Sequence, residues 1–301
     1  MRGRVLRVSG LQQLVEIDGR AWQCEVRGRL KAGARRANSP VVVGDWVQVA
    51  PTGAGTGVIE EVLPRVSRFS RGASGFRPYE QIIAANLDQL VVVVSIREPA
   101  LRPGFIDRAV VMALKGGLVP VVCINKVDLD EGSEAERVAA TYRCLGYQAL
   151  LASAHTGQGV EALRSLLEGR VSVVVGHSGV GKSSLLNQLE PGLSIRTQSL
   201  MRHHDRGRQT TAAVHLYRLR GGGYVADAPG IKELRLWGVS RAELVSYFVE
   251  LAPLASDCQF RDCSHAHEPG CAVRAGVQQG RVNALRYEGY CRIMETLESS
   301  R

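Results

Sequence analysis

"GHSGVGKSS", residues 176–184, follows the apolar run "RVSVVV" and precedes the helix-forming "LLNQLE". Gly176, Gly181, Lys182 and Ser183 satisfy the spacing G-x-x-x-x-G-K-[ST], and a strand before with a helix after is the setting in which that pattern cradles phosphates. The glycines let the backbone N–H groups of His177, Ser178, Gly179 and Val180 turn inward around an anion. The Lys182 ammonium reaches the terminal phosphates, and the Ser183 hydroxyl is a magnesium ligand. Ser183 and Ser184 also lie where the helix begins, so its positive dipole end faces the same charge. This stretch therefore predicts an α/β domain that binds a nucleoside triphosphate with magnesium.

The base is read elsewhere in the chain. Asn125-Lys126-Val127-Asp128 closes the buried run "VPVVCI", which brings its side chains to the carboxyl end of a sheet, where ligands bind in such folds. A carboxylate at Asp128 can accept from the N1–H and exocyclic amine of guanine, a pair that adenine does not present. Asn125 is expected at the base edge and the Lys126 stem against the ring. Ser153-Ala154 ends the run "YQALLASA", and the Ala154 N–H is expected to meet the guanine O6. After the phosphate loop, Asp227-Ala228-Pro229-Gly230 follows "GGYVA". Asp227 is expected to hold magnesium through water, and the Gly230 N–H to sense the γ-phosphate. The intervening "DRGRQTTAA" carries Thr210 and Thr211 as switch residues.

These parts stand in the order base motif, alanine motif, phosphate loop, switch threonine, DxxG, whereas most GTPases put the phosphate loop first. A sheet keeps its packing when its old termini are joined and a new break is made at a surface loop, so the order predicts a circular permutation. One mechanical consequence is that the segment containing Gly230 runs directly into the C-terminal region. The residue after DxxG is Ile231, which has no polar atom to orient an attacking water, so another group must act: Gln209 is one candidate, and a group supplied by a partner, with Gln209 an ordinary loop residue, is the other.

With 301 residues, two or three domains are expected. The longest apolar runs, such as "LVVVVSI" at 90–96, are too short to cross a bilayer. "MRGRVLRVSG" lacks the apolar core of a signal peptide, so a cytoplasmic protein is expected. A net charge of +9 favours a polyanionic partner. Residues 1–70 read as short strands broken by glycine, including "VVVGDWVQVAP", and fit an all-β, five-stranded oligonucleotide/oligosaccharide-binding (OB-fold) barrel. Arg27, Arg29, Lys31, Arg35 and Arg36 gather in and before its loop "KAGARRANSP", a predicted nucleic-acid contact. "RVSRFSRGASGFRP" at 65–78, rich in Gly, Ser and Arg, reads as a linker. Apolar strands then alternate with helical stretches over 80–236, predicting a parallel sheet covered on both faces. Residues 237–301 read as helices around a cysteine-rich loop.

That loop, "CQFRDCSHAHEPGC", spaces Cys258, Cys263, His265 and Cys271 as C-x4-C-x-H-x5-C. Three thiolates and one imidazole suit one tetrahedral structural zinc and leave no position for a catalytic water. His267 is a competing ligand. The other four cysteines are scattered, as in reduced cytosolic proteins.

Taken with Cys271-Ala272-Val273-Arg274 and Arg286-Tyr287, these motifs resemble the small-ribosomal-subunit-dependent GTPase family called RsgA or YjeQ, over nearly the whole chain. The resemblance implies a monomeric late-assembly factor of the bacterial 30S subunit that contacts 16S rRNA near the decoding region. It further implies weak GTP hydrolysis, to GDP and phosphate, that the subunit stimulates and that accompanies release. The chain departs from the family at Gln209, where a histidine usually precedes the switch threonines. Two other functions compete: a nucleotide-gated RNA-binding module with incidental hydrolysis, and a permuted GTPase acting on the large subunit. The magnesium set Ser183 and Asp227 opposes the first, and the combination of barrel and zinc loop opposes the second.

Overall fold

Along most of the N-terminal strands buried residues recur at every second position, which is the pattern of a sheet with one buried face. The computed structural model describes residues 1–10, 12–28, 30, 40–73, 79–193, 214–228 and 234–298. In it β1 (Arg2–Ser9), β2 (Gln12–Ile17), β3 (Arg20–Val26), β4 (Trp46–Gly53) and β5 (Thr56–Val62) run in the order β1-β2-β3-β5-β4, and β4 returns to pair with β1. The five strands close a barrel. Val5, Val15, Ile17, Cys24, Val26, Val47, Val49 and Ile59 fill it, two residues apart along each strand.

The expected linker is corrected by the structure. Within it, β6 (Arg68–Gly72) pairs antiparallel with β7 (Glu80–Ala85), and Ser67 and Phe69 are buried, with the period of a strand. Arg65 holds the buried Asp45 carboxylate with two bonds of 2.7 and 2.8 Å. Its Gly, Ser and Arg content disguised a short strand that fastens the barrel to the central region. Ala85 N–H donates to Val43 O at 2.9 Å, and the Asn86 amide donates to Gly44 O at 3.1 Å.

The central sheet consists of β8 (Gln89–Ser95), β9 (Val119–Asn125), β10 (Gln148–Leu151), β11 (Val171–Val175), β12 (His215–Arg218) and β13 (Tyr224–Asp227), in the order β10-β9-β8-β11-β13-β12. All neighbours are parallel except the edge strand β12. Leu90, Val92 and Val94 face α1 (Pro103–Lys115) and α2 (Glu134–Cys144). Val91 and Val93 face α3 (Val160–Leu167) and α4 (Lys182–Leu189). Being apolar on both faces, β8 can only be central. The edge β12 is covered by the barrel: Arg7 of β1 pairs with His215, so barrel and central strands form one sheet of eleven strands. No helix among the described residues is long and apolar enough to cross a membrane.

Short helices α5 (Arg241–Leu244) and α6 (Ala252–Ala255) lead to α7 (Ala272–Gln278) and α8 (Ala284–Glu298). These pack around Leu244, Phe248, Leu251, Val273, Tyr290, Ile293 and Met294. The C-terminal unit is joined to α1 by a buried ion cluster. The Arg286 side chain, 2% exposed, pairs with Asp107, 1% exposed, and with Glu250 at 2.7 Å. The Tyr142 hydroxyl donates to the same Asp107 oxygen at 2.7 Å. Removing Arg286 leaves the buried carboxylates of Asp107 and Glu250 without their cation, so Arg286→Ala is expected to cost about 3–5 kcal/mol in urea unfolding. A loss below about 1 kcal/mol would show that the cluster contributes only what an exposed pair does.

Candidate nucleotide and metal sites

The chain leaves β8 outward through β9 to β10, then returns to β11 on the other side of β8. The strand order reverses between β8 and β11, the place at the carboxyl ends where ligands bind in such sheets. The phosphate loop leaves β11, the base motif leaves β9 and Asp227 ends β13. Tertiary packing thus assembles motifs that the chain carries in the permuted order.

Close approach explains two of the glycines. A Cβ on Gly176 would stand 2.2 Å from Val93 O, and one on Gly181 would stand 2.3 Å from the Asn125 amide nitrogen. Gly181 also has φ +92, a conformation other residues rarely adopt. The Lys182 ammonium donates to Gly176 O at 2.8 Å and His177 O at 3.0 Å, arching over its own loop. Burial lowers its pKa, and Asp227 works in the opposite direction. The His177 ring rests on Phe105 with 4.1 Å between centroids, and burial holds its pKa below the usual histidine value.

Asn125 has a bracing part that its motif did not reveal. Its side chain is fully buried; Nδ2 donates to Val180 O at 2.8 Å and Oδ1 accepts from the Ala154 N–H at 3.1 Å. Nδ2 keeps a second N–H beyond its bond to Val180 O, while the Ala154 N–H expected at guanine O6 is engaged with Asn125 Oδ1. Asn125 braces the phosphate loop and the alanine loop against the base motif. Lys126, in a left-handed conformation with φ 63, donates to Glu98 O. Ser153 Oγ donates to Asp128 Oδ1 and accepts from the His155 and Thr156 N–H groups, which holds the carboxylate in place. The contacts of Glu98 and Phe105 could not be read from the sequence, because neither belongs to a spaced motif.

With Asp128 so oriented, Asp128→Asn is expected to weaken GTP binding and favour xanthosine triphosphate, since an amide donates to the 2-oxo group where the carboxylate accepted from the amine. Losing a charged hydrogen-bond pair costs about 1.5–3 kcal/mol, roughly ten- to a hundredfold. Competition binding with both nucleotides checks this; unchanged selectivity would remove Asp128 from base reading.

Asp227 is 6% exposed, and its Oδ1 has no hydrogen-bond partner among the described residues. Burial raises its pKa, while Lys182 and a hydrogen bond with Ser183 lower it. A buried, orphaned carboxylate oxygen beside a serine hydroxyl fits a hard divalent cation. Gln209, Thr210, Thr211 and Gly230 lie outside the described residues, as do Arg29, Lys31, Arg35 and Arg36. Arg27 is described and pairs with Glu60.

In the C-terminal loop, the ligand atoms of Cys258, Cys263, His265 and Cys271 all lie within 4.8 Å of one another. His265 Nδ1 is 3.4 Å from Cys258 Sγ and 3.7 Å from Cys271 Sγ, and the two sulfurs are 3.9 Å apart. Zinc–sulfur bonds of about 2.3 Å imply sulfur–sulfur edges near 3.8 Å in a tetrahedron, so the donor set fits. The backbone around it is braced: Tyr287 donates to His265 O and Tyr290 to Ser264 O, each at 2.8 Å. His267 is not a member of this cluster and its side chain is 79% exposed.

The family model described as "RsgA GTPase" matches residues 62–237. A Moorella thermoacetica protein named "Small ribosomal subunit biogenesis GTPase RsgA" is 40% identical over 290 residues, covering 96% of this chain and 95% of its own. One of the same name from Gemmatimonas aurantiaca is 41% identical, covering 96% and 94%. The crystal structure of YjeQ from Thermotoga maritima superposes with a TM-score of 0.80 at 34% identity, over all of this chain and 99% of that one. That of YloQ, described as a circularly permuted GTPase, gives 0.74 at 27% identity, over all of this chain and 96% of that one. Permuted motifs at the carboxyl end of one sheet, a barrel before them and a Cys₃His loop after them agree with these matches along the full length, and the chain belongs to the RsgA family of circularly permuted GTPases.

Proposed function

We propose that this GTPase is an assembly factor for the 30S ribosomal subunit, acting in the cytoplasm as a monomer. In this reading it binds the late, immature subunit through 16S rRNA and leaves when the subunit stimulates hydrolysis. The observation that carries the reading is the register of one row of strands. Arg7 of the barrel pairs with His215, and His215 pairs with Asp227. A fold suited to nucleic acid is therefore hydrogen-bonded to the strand beside the candidate magnesium ligand, so contact at one is felt mechanically at the other. The names of the relatives supply the partner, and the net charge of +9 suits it.

In the nucleotide site, Asp128 reads guanine, Asn125 holds three loops in register, and the phosphate-loop amides with Lys182 neutralise the phosphates. Ser183 and Asp227 would hold magnesium, which when bound spreads the charge on the β- and γ-phosphates. The Cys₃His loop would hold a structural zinc. GTP turnover measured with purified 30S and 50S subunits tests the proposal. Stimulation by 30S alone is expected; equal stimulation by both, or none, would overturn it.

Gln209 is proposed to orient the attacking water, because its amide can accept from water and donate toward the γ-phosphate. Gln209→Ala is expected to leave GTP affinity within about twofold and lower subunit-stimulated turnover roughly ten- to a thousandfold, about 1.4–4 kcal/mol of barrier. Gln209→His should retain much of the activity. Single-turnover hydrolysis on 30S at saturating GTP decides, and a wild-type rate for the alanine variant would exclude Gln209.

A further inference from the structure

Strand β8 ends at Ser95, which stands in register with Asn125, the first residue of the base motif. Ser95 is 2% exposed and donates from Oγ to Pro99 O at 2.7 Å, which folds the turn at residues 97–100 back onto the strand it has just left. That turn meets two of the nucleotide motifs. Glu98 O accepts from the Lys126 ammonium, and Pro99 lies over the phosphate loop, its Cδ 3.7 Å from where a Cβ on Gly179 would stand.

Burial does not hold this turn. Arg97, Glu98, Pro99 and Ala100 are all exposed, so apolar packing does little to fix them. Arg97 pairs with Glu134 at 2.7 Å, but both side chains are exposed, and such a pair ties a loop weakly. The buried Ser95 hydroxyl is the firmer anchor. Glu98 has φ 51 and Lys126 has φ 63, left-handed conformations that persist in such residues only where their surroundings hold them. The bond between them therefore joins two backbones already set in place. A lysine side chain loses much rotamer freedom when it is laid against a ligand; one tied at its tip has given up that freedom before the ligand arrives. Because the acceptor is a carbonyl, the ammonium is fixed without being neutralised.

We propose that Ser95 is a positioning residue for the guanine nucleotide: through the turn it holds the Glu98 carbonyl at the tip of Lys126, which keeps the lysine stem in place for the base. The proposal rests on the reading of Asn125-Lys126-Val127-Asp128 as the base motif, and Lys126→Ala tests that reading separately.

The experiment uses the full chain with magnesium and measures GDP and IDP affinity, the KM and kcat for GTP, and thermal unfolding. Ser95→Ala is expected to weaken GDP about fivefold and to raise the KM for GTP by a similar factor with kcat within about twofold, because the interaction lost is made equally before and during the reaction. IDP should weaken by the same factor as GDP, since the exocyclic amine that distinguishes them is met by Asp128. The unfolding temperature should stay within about 2 °C, as expected for a bond to an exposed turn. Ser95→Thr, which restores the hydroxyl, should recover most of the affinity. Lys126→Ala alone is expected to weaken GDP about twentyfold, and the double variant should be within about twofold of it, because both substitutions remove the same interaction. Unchanged GDP affinity in Ser95→Ala would overturn the proposal. So would additive losses in the double variant, which would show that the turn acts elsewhere, as on Gly179, or a loss of affinity matched by a fall in unfolding temperature. If Lys126→Ala binds GDP as the wild type does, the reading of Lys126 fails first, and the proposal falls with it.

Discussion

Lys182→Ala is expected to lower single-turnover GTP hydrolysis to below about a thousandth of the wild-type rate, roughly 4 kcal/mol of barrier or more. Lys182 Nζ is bound to two carbonyls of its own loop, Gly176 O and His177 O, and so is already aimed along the cradle. A positive charge held in advance at the place where phosphate charge shifts is worth more in a buried site than in water, and costs no reorganisation when the reaction occurs. The fold should survive the substitution. The loop has independent support in the bond from Asn125 to Val180 O and in the burial of Val180. Thermal unfolding within a few degrees of wild type, with hydrolysis lost, is the expected pair of results. Retained hydrolysis would remove Lys182 from the reaction.

The second large effect is expected from the Cys₃His loop. Elemental analysis should find about one zinc per chain, as a closed four-donor site binds one ion. A structural zinc can supply on the order of 10 kcal/mol to a small site, so strong chelation should unfold the C-terminal unit at temperatures where the holo-protein is intact. Without the ion, the loop backbone is left to hydrogen bonds such as those of Tyr287 to His265 O, Tyr290 to Ser264 O and Arg274 to His267 O and Glu268 O. GDP binding is expected to stay within about threefold, because the phosphate and base loops are braced within the central sheet and draw no support from the metal. Near-ultraviolet circular dichroism and GDP titration, each with and without chelator, separate the two regions. A folded protein that contains no metal and is indifferent to chelation would end this assignment.

The permuted motifs were legible because each of them is local. A phosphate loop needs glycines, a lysine and a serine within a single turn of chain, and the metal loop gathers its donors within fourteen positions. Their chemistry does not wait for tertiary structure. The period-two alternation of the barrel and the fully apolar β8 were legible for a related reason, since burial on one face or two leaves a signature in consecutive residues.

Other features depend on partners far apart in the chain. The linker reading failed because composition outweighed the short alternation of Ser67 and Phe69, and because the strand that completes β6 comes after a Gly-Phe-Arg-Pro stretch. Asn125 was expected at the base. Only packing shows that its two polar atoms are held by Val180 and Ala154, 55 and 29 residues away.

The class of nucleotide, the permuted order of the motifs, a Cys₃His donor set and the class of each region were thus legible in the chain, because these arise from backbone and side-chain chemistry within short windows. The tertiary structure alone decided that the barrel shares a sheet with the Asp227 strand and that Asp107 meets Arg286 across 179 residues. Such contacts are chosen by which surfaces can be buried together, and no local spacing records that choice.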